Sequence, residues 1–161
     1  MKFFAVIVLA LMATASNAWA DGPLTATLDA QRVVADTAGG ERFVSADTAR
    51  PSDVVEYRTT YKNTSKRTLR QVAATLPVPA GFVFVAGSAS KGALASTDGV
   101  KFSAIPLMRL VKSADGRDQM VAVPLSEYRA LRWSLGDIPG ESARVVTARM
   151  RMDDATVVAK R

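Results

Sequence analysis

The chain has no cysteine and no histidine. Without cysteine no disulfide can staple the fold, whatever the compartment. Without either residue, the thiolate and imidazole ligands that zinc, copper and iron prefer are missing, and most transition-metal chemistry is excluded. The same absences exclude Ser-His-Asp and Cys-His nucleophilic catalysis and any histidine general base. Tryptophan occurs only at Trp19 and Trp133, so the placement of each indole carries weight. No helical period of useful length survives after the N-terminal segment, and Leu125 to Leu131 is long enough for one turn only. No linker, low-complexity tract or internal repeat divides the chain.

What is present begins with an export signal. Met1 to Ala20 reads as a secretory signal peptide. Lys2 gives the positive start, Phe3 to Met12 is an unbroken apolar run, and Ala18-Trp19-Ala20 has small residues at both cleavage-determining positions. The run is shorter than the roughly 20 apolar residues a spanning helix needs. The sequence therefore predicts one mature domain, residues 21–161, in the periplasm or outside the cell, with no transmembrane helix. The formal net charge of +6 favours attraction to anionic surfaces. The basic residues look spread at strand spacing and no helix-turn-helix or zinc-finger pattern occurs, so specific nucleic-acid binding is not expected.

Strand signals dominate the mature chain. In Val54 to Lys62, the odd positions Val55, Tyr57, Thr59 and Tyr61 form one face, and Glu56, Arg58, Thr60 and Lys62 form a wet one. Asn63-Thr64-Ser65-Lys66 supplies turn chemistry and reads as a hairpin turn. Leu69 to Leu76 follows, with Val72, Ala74 and Leu76 on one side, and Pro77 to Gly81 ends it. Phe82 to Val85, apolar on both faces, reads as a strand covered on two sides. Leu131, Trp133 and Leu135 alternate with polar residues before a turn at Asp137 to Gly140, and Val146, Ala148, Met150 and Met152 line one face of a last strand. Leu24 to Leu28, Gln31 to Ala35 and Glu41 to Ser45 read as added edge strands, and Val100 to Val123 as a short strand with a hairpin around Ser113 to Asp118. About seven to nine short strands argue for an all-β antiparallel β-sandwich.

An ordered series of these elements also points to a family. The runs Asp53-Val54-Val55-Glu56-Tyr57 and Tyr61-Lys62-Asn63-Thr64 come first, followed by Val72, Leu76-Pro77, Pro79-Ala80-Gly81-Phe82 and Gly87-Ser88. Together they resemble the bacterial conserved-repeat domain, domain of unknown function 11. Asp98 to Phe102, Tyr128 to Trp133 and Ile138 to Glu141 are similar to that family's second half, and the likeness covers residues 45–152. It implies an immunoglobulin-like sandwich found in exported, often surface-associated proteins, and it implies no catalytic site and no ligand residues. Ser52 and Ser65 stand where the family commonly has glycine.

Several residues invite a chemical reading. Ser88-Ala89-Ser90-Lys91 matches the S-x-x-K pattern of serine acylases, but it lies in a loop between Gly87 and Gly92 without the partner motifs. Asn63-Thr64-Ser65 fits a glycosylation sequon, for which turn chemistry is the simpler account. Asp115 to Asp118 and Asp153-Asp154 lack the alternating spacing that wraps calcium, so no metal or cofactor is expected. Trp133 belongs with the core by alternation, not with a sugar-stacking surface. Arg132, Arg149 and Arg151 fall on polar strand faces. If their strands share a sheet, they make a basic stripe suited to an anionic glycan, lipid headgroups or an acidic partner. The sequence thus predicts a non-enzymatic, exported module with a structural, adhesive or interaction role, partnered by an envelope or extracellular protein or glycan. An anionic-ligand or carbohydrate-binding module is the alternative, and a hydrolase using paired carboxylates the more distant one.

Overall fold

The structure, a computed structural model, describes residues 22–153; the expected signal peptide, residues 1–20, lies outside them. Strands account for nearly all regular structure: β1 (Leu24–Ala35), β2 (Glu41–Ser45), β3 (Val54–Asn63), β4 (Leu69–Pro77), β5 (Phe82–Phe84), β6 (Leu94–Ser96), β7 (Ser103–Ala104), β8 (Met108–Lys112), β9 (Asp118–Ala122), β10 (Ala130–Ile138) and β11 (Ala143–Met152). A five-stranded sheet runs β2-β1-β3-β11-β5 and a four-stranded sheet β4-β10-β6-β7, while β8 and β9 form a separate ribbon. Every pairing is antiparallel. The fold is therefore all-β and sandwich-like, as expected. The two large sheets hold nine strands, and the ribbon around Ser113–Asp118 adds two more. Among the described residues no helix is long and apolar enough to cross a membrane.

Alternation builds the shared core. Val55, Thr59 and Tyr61 of β3 are buried, as are Val146, Ala148 and Met150 of β11, while Arg58, Lys62, Val145 and Arg151 are exposed. Leu131 and Trp133 of β10 point inward, but Ile138, at an even position, is also fully buried. Two register shifts between Ser134 and Ile138 reverse the alternation; Gly136 there has φ +65° and Gln71, in the matching stretch of β4, φ +52°. The Gln71 N–H displaced from the ladder donates to Asp137 Oδ1 at 3.0 Å. Tyr128 stacks on Phe84 with ring centroids 6.0 Å apart, and its phenol oxygen accepts from the Leu107 N–H at 2.8 Å, so this buried ring is both packed and satisfied.

Three sequence expectations need correction. Residues 24–35 form one strand, not two, and β1 is interior where β2 covers it. The 63–68 segment is no hairpin, because β3 and β4 belong to different sheets and the chain crosses between them. β5 is a three-residue edge in which Phe84 is buried and Phe82 and Val83 only half so. Ser52 does adopt a glycine-like backbone, with φ +69°, whereas Ser65 serves the turn with its side chain.

The crossover is packed tightly against the β10–β11 turn. A Cβ at Gly140 would lie 2.5 Å from the Lys66 carbonyl carbon and oxygen, both backbone atoms that cannot rotate away. Gly140→Ala should therefore lower stability by roughly 1–3 kcal/mol or more through overpacking, read as a drop in the urea midpoint with an unchanged m-value. An unchanged midpoint would show that the two turns separate freely.

Candidate functional site

Arg149, on the outer face of β11, sits at the meeting point of two clefts of about 450 and 290 Å³. Its Nη1 and Nη2 donate to both carboxylate oxygens of Glu41 at 2.7 and 2.6 Å, and Nε donates to Glu56 Oε2 at 3.1 Å. The other Glu56 oxygen accepts from Arg58 Nη2 at 3.1 Å. Glu56 is buried although it lies on the wet face, because these guanidiniums and the 85–88 segment wall it in. A bidentate, charge-assisted contact of this kind is among the stronger polar interactions. The Arg149 hydrogen bond holds the Glu41 carboxyl below the usual range, and the same contact raises Arg149 further. Three of the five guanidinium N–H groups are thus held by carboxylates, and the two carboxylates offset the positive charge an incoming anion would seek.

Of the other two stripe candidates, Arg151 follows Arg149 on the same face of β11, and Arg132 lies apart. Arg132 is on β10 in the four-stranded sheet, whereas Arg149 and Arg151 are on β11 in the five-stranded one, so the three share no strand face. Arg132 lies over the Phe102 ring at 3.8 Å and donates from Nε to Thr75 Oγ1 at 3.1 Å, a cation–π contact that keeps the guanidinium on the surface. Arg151 is exposed. Strand pairing across dozens of residues decides this separation, and the period-two pattern carries no trace of it.

The S-x-x-K serines are architectural. Ser88 Oγ donates to Val85 O at 2.6 Å and accepts the Arg149 N–H at 2.9 Å. Ser90 Oγ accepts the Thr147 N–H at 2.8 Å, while the Ser90 N–H donates to Thr147 O at 2.8 Å. Past the end of β5, these hydroxyls stand in for a regular ladder along the β11 edge. Lys91 is exposed, so it lacks the desolvation that would make its amine a base. The Ser90 carbonyl also accepts the Trp133 indole N–H at 3.0 Å, and Trp133 is only 2% exposed. No sugar can stack on that ring.

Asn63 is fully buried, with its Nδ2 directed at the carbonyls of Arg67, Ile138 and Pro139 and its Oδ1 accepting from Ser65 N–H and Oγ. The folded chain cannot present it for glycosylation. Asp115 is paired with Arg117 and Asp118 with Lys112; Asp154 lies outside the described residues. Among the described residues no group of three or more metal-ligating side chains comes together. One cleft of about 260 Å³ does contain two carboxylates, Asp98 and Glu127. Asp98 accepts the N–H groups of Lys101 and Val100 and the Ser96 hydroxyl, and these hold its pKa at about 2, with Lys101 the largest cause. Glu127 is joined to Arg109 at 2.7 Å.

One feature escaped the sequence reading. Lys62 is the penultimate residue of β3, Lys66 and Arg67 lie in the crossover, Arg70 is the second residue of β4, and Arg144 follows Ala143, the register partner of Lys62. All five are exposed, and none has an ion-pair partner among the described residues. Asp137 and Glu141 are the nearby carboxylates along the chain, and Asp137 already accepts the Gln71 N–H. The run K-N-T-S-K-R-T-L-R was the available signal; read at strand spacing it looks dispersed, but the crossover gathers it at one end. No family model, curated protein or solved structure matches this chain.

Trp133→Ala should destabilise the domain by roughly 3–5 kcal/mol, because it leaves a large cavity and strips Ser90 of its indole donor. With Trp19 in the expected signal, native fluorescence should be blue-shifted and weakly quenched by iodide; a normally folded Trp133→Ala protein would contradict the burial. The depressed Asp98 pKa sets a second expectation. A carboxylate with a lowered folded-state pKa contributes stability that is full above its unfolded value, near 3.8, and is lost as pH falls toward about 2. Asp98→Asn should lower stability by a constant amount above pH ~5 and flatten the acid-unfolding curve as pH falls from near 3.8 toward about 2; an unaltered acid limb would show the turn bonds to be absent in solution.

Proposed function

We propose that the chain is an exported, non-enzymatic module with a structural, adhesive or protein-interaction role at the cell envelope. The observation that carries this reading is the use made of its reactive-looking groups. The Ser88 and Ser90 hydroxyls, the Asn63 amide and the Arg149 guanidinium are all bonded into the scaffold. A catalytic site needs such groups held ready for substrate; here they join strands and turns. The resemblance to the conserved-repeat domain, with its immunoglobulin-like sandwich in exported proteins, supports the same role, as does the N-terminal signal pattern. A hydrolase of the paired-carboxylate type needs one carboxyl raised to act as an acid. In the Asp98–Glu127 cleft the hydrogen bonds push Asp98 the other way.

A second reading, binding of an anionic ligand, rests on the five free cations at the crossover end and not on Arg149. Fractionation with N-terminal sequencing tests the main role: a chain beginning at Asp21 should appear in the envelope or medium and cross-link to an envelope component. A full-length chain in the cytoplasm would end it. Salt-sensitive retention on a heparin-like resin, lost on Lys66→Glu with Arg67→Glu and kept on Arg151→Gln, would favour the second reading.

A further inference from the structure

A strand edge left open invites pairing, and native proteins blunt such edges with short strands, charges, proline or bulges. The edges at β5 and β7 are three and two residues long. β4 carries Arg70, the Gln71 kink and Pro77, and the Thr75 main chain is hydrogen-bonded to the Tyr61 phenol. β2 is five residues long and begins Glu41-Arg42. The remaining edge is Leu24 to Ala30 of β1, alongside β3 but beyond the reach of β2. It has no Lys, Arg or Pro, its register with β3 is unbroken, and Asp29 is its single charge.

Two hydrogen bonds fix which backbone groups this edge presents. The Asp36 N–H donates to Gly40 O across the β1–β2 hairpin, and the Thr64 N–H donates to Pro23 O on the β3 side. The N–H and C=O of a strand residue point to the same side, and successive residues alternate. Even-numbered residues of β1 therefore point away from β3. Leu24, Ala26, Leu28 and Ala30 present their N–H and C=O groups to the open edge, where nothing among the described residues pairs with them. Their side chains share the core-side face, as the register of Ala26 with Tyr61 and Leu28 with Thr59 shows. Yet Ala26 is exposed and Leu28 is 55% exposed.

We infer that this edge pairs antiparallel with the same edge of a second copy, about a two-fold axis at Thr27. That register sets Leu24 opposite the partner's Ala30 and Ala26 opposite the partner's Leu28. Both members of each pair present outward backbone groups, so every pair exchanges two hydrogen bonds. The uncovered apolar faces of the two strands fall on the same side, and Asp29 meets the partner's Thr25, so no like charges oppose each other. A foreign strand would have to bring a matching apolar face, whereas a second copy brings one by symmetry. The inference goes beyond the proposed role, since a passive spacer would associate through this edge as readily as an adhesive module.

Sedimentation velocity of the protein over a wide range of concentration tests it. A short strand–strand contact predicts a weak, concentration-dependent dimer. Leu28→Lys leaves every backbone group in place but sets two cations on diagonal positions, and Ala26→Pro removes an outward N–H without touching the β3 ladder. Each should weaken the dimer roughly tenfold or more while the melting temperature stays near that of the wild type. Hydrogen exchange on the unmutated protein gives a readout free of folding effects: the Ala26 and Leu28 amides should slow as concentration rises. A monomer at every concentration, a monomer holding a foreign extended peptide, or variants that dimerise like the wild type would each overturn the assignment.

Discussion

The side chain of Asn63 ties the two sheets together, and most of the fold is arranged around it. β3 ends there, the chain crosses to the four-stranded sheet there, and β10 turns back into β11 beside it. Its amide nitrogen contacts the Arg67 carbonyl of the crossover and the Ile138 and Pro139 carbonyls of the return turn, while its oxygen holds Ser65. Its own N–H donates to Ser142 O at 2.9 Å. A buried amide left without partners costs about 1–3 kcal/mol, so a residue this deep is tolerable only because each polar atom is met. The close approach of Gly140 to Lys66 belongs to the same junction: the two turns must touch for one amide to reach both.

The far side of β11 solves a different problem. β5 is too short to cover the strand, and the chain beyond it cannot form a ladder through the Gly87 turn. Serine hydroxyls, which donate and accept, fill the missing positions at Thr147 and Arg149. Trp133 then links this seam to the opposite sheet through the Ser90 carbonyl. The pattern that reads as a serine acylase motif is the solution to an edge that runs out of strand.

Legibility in the sequence followed range. The faces of β3 and β11 were readable because each is a regular strand with one wet side, and alternation is a local property. The second half of β10 was not, because the bulge at Gly136 inverts the alternation and depends on Gln71 in a strand more than sixty residues away. The proposed basic stripe failed on the same kind of information: whether Arg132 and Arg149 share a sheet is a matter of pairing, not of period. Burial of Glu56 on a polar face was equally hidden, since Arg149 and the 85–88 segment, which help enclose it, are remote in sequence. The absence of cysteine and histidine, by contrast, bounds the chemistry without any structure at all.

The distribution of charge also bears on how two copies can meet. Arg32, Arg58, Arg109, Lys112, Arg117 and Arg149 all have carboxylate partners, whereas Lys62, Lys66, Arg67, Arg70 and Arg144, which have none among the described residues, gather near the crossover at the Lys62 end of β3. That end adjoins the start of the open edge, because Leu24 is in register with Asn63 and Thr25 with Lys62. A parallel pairing of two β1 edges would bring both basic ends together. The antiparallel register about Thr27 sends them to opposite ends instead. Six residues of strand at about 3.4 Å each separate the two Leu24 positions by roughly 20 Å, more than twice the ~8 Å screening length at physiological salt. The repulsion that would oppose one geometry is thus screened in the other, and both basic ends stay open to an anionic surface.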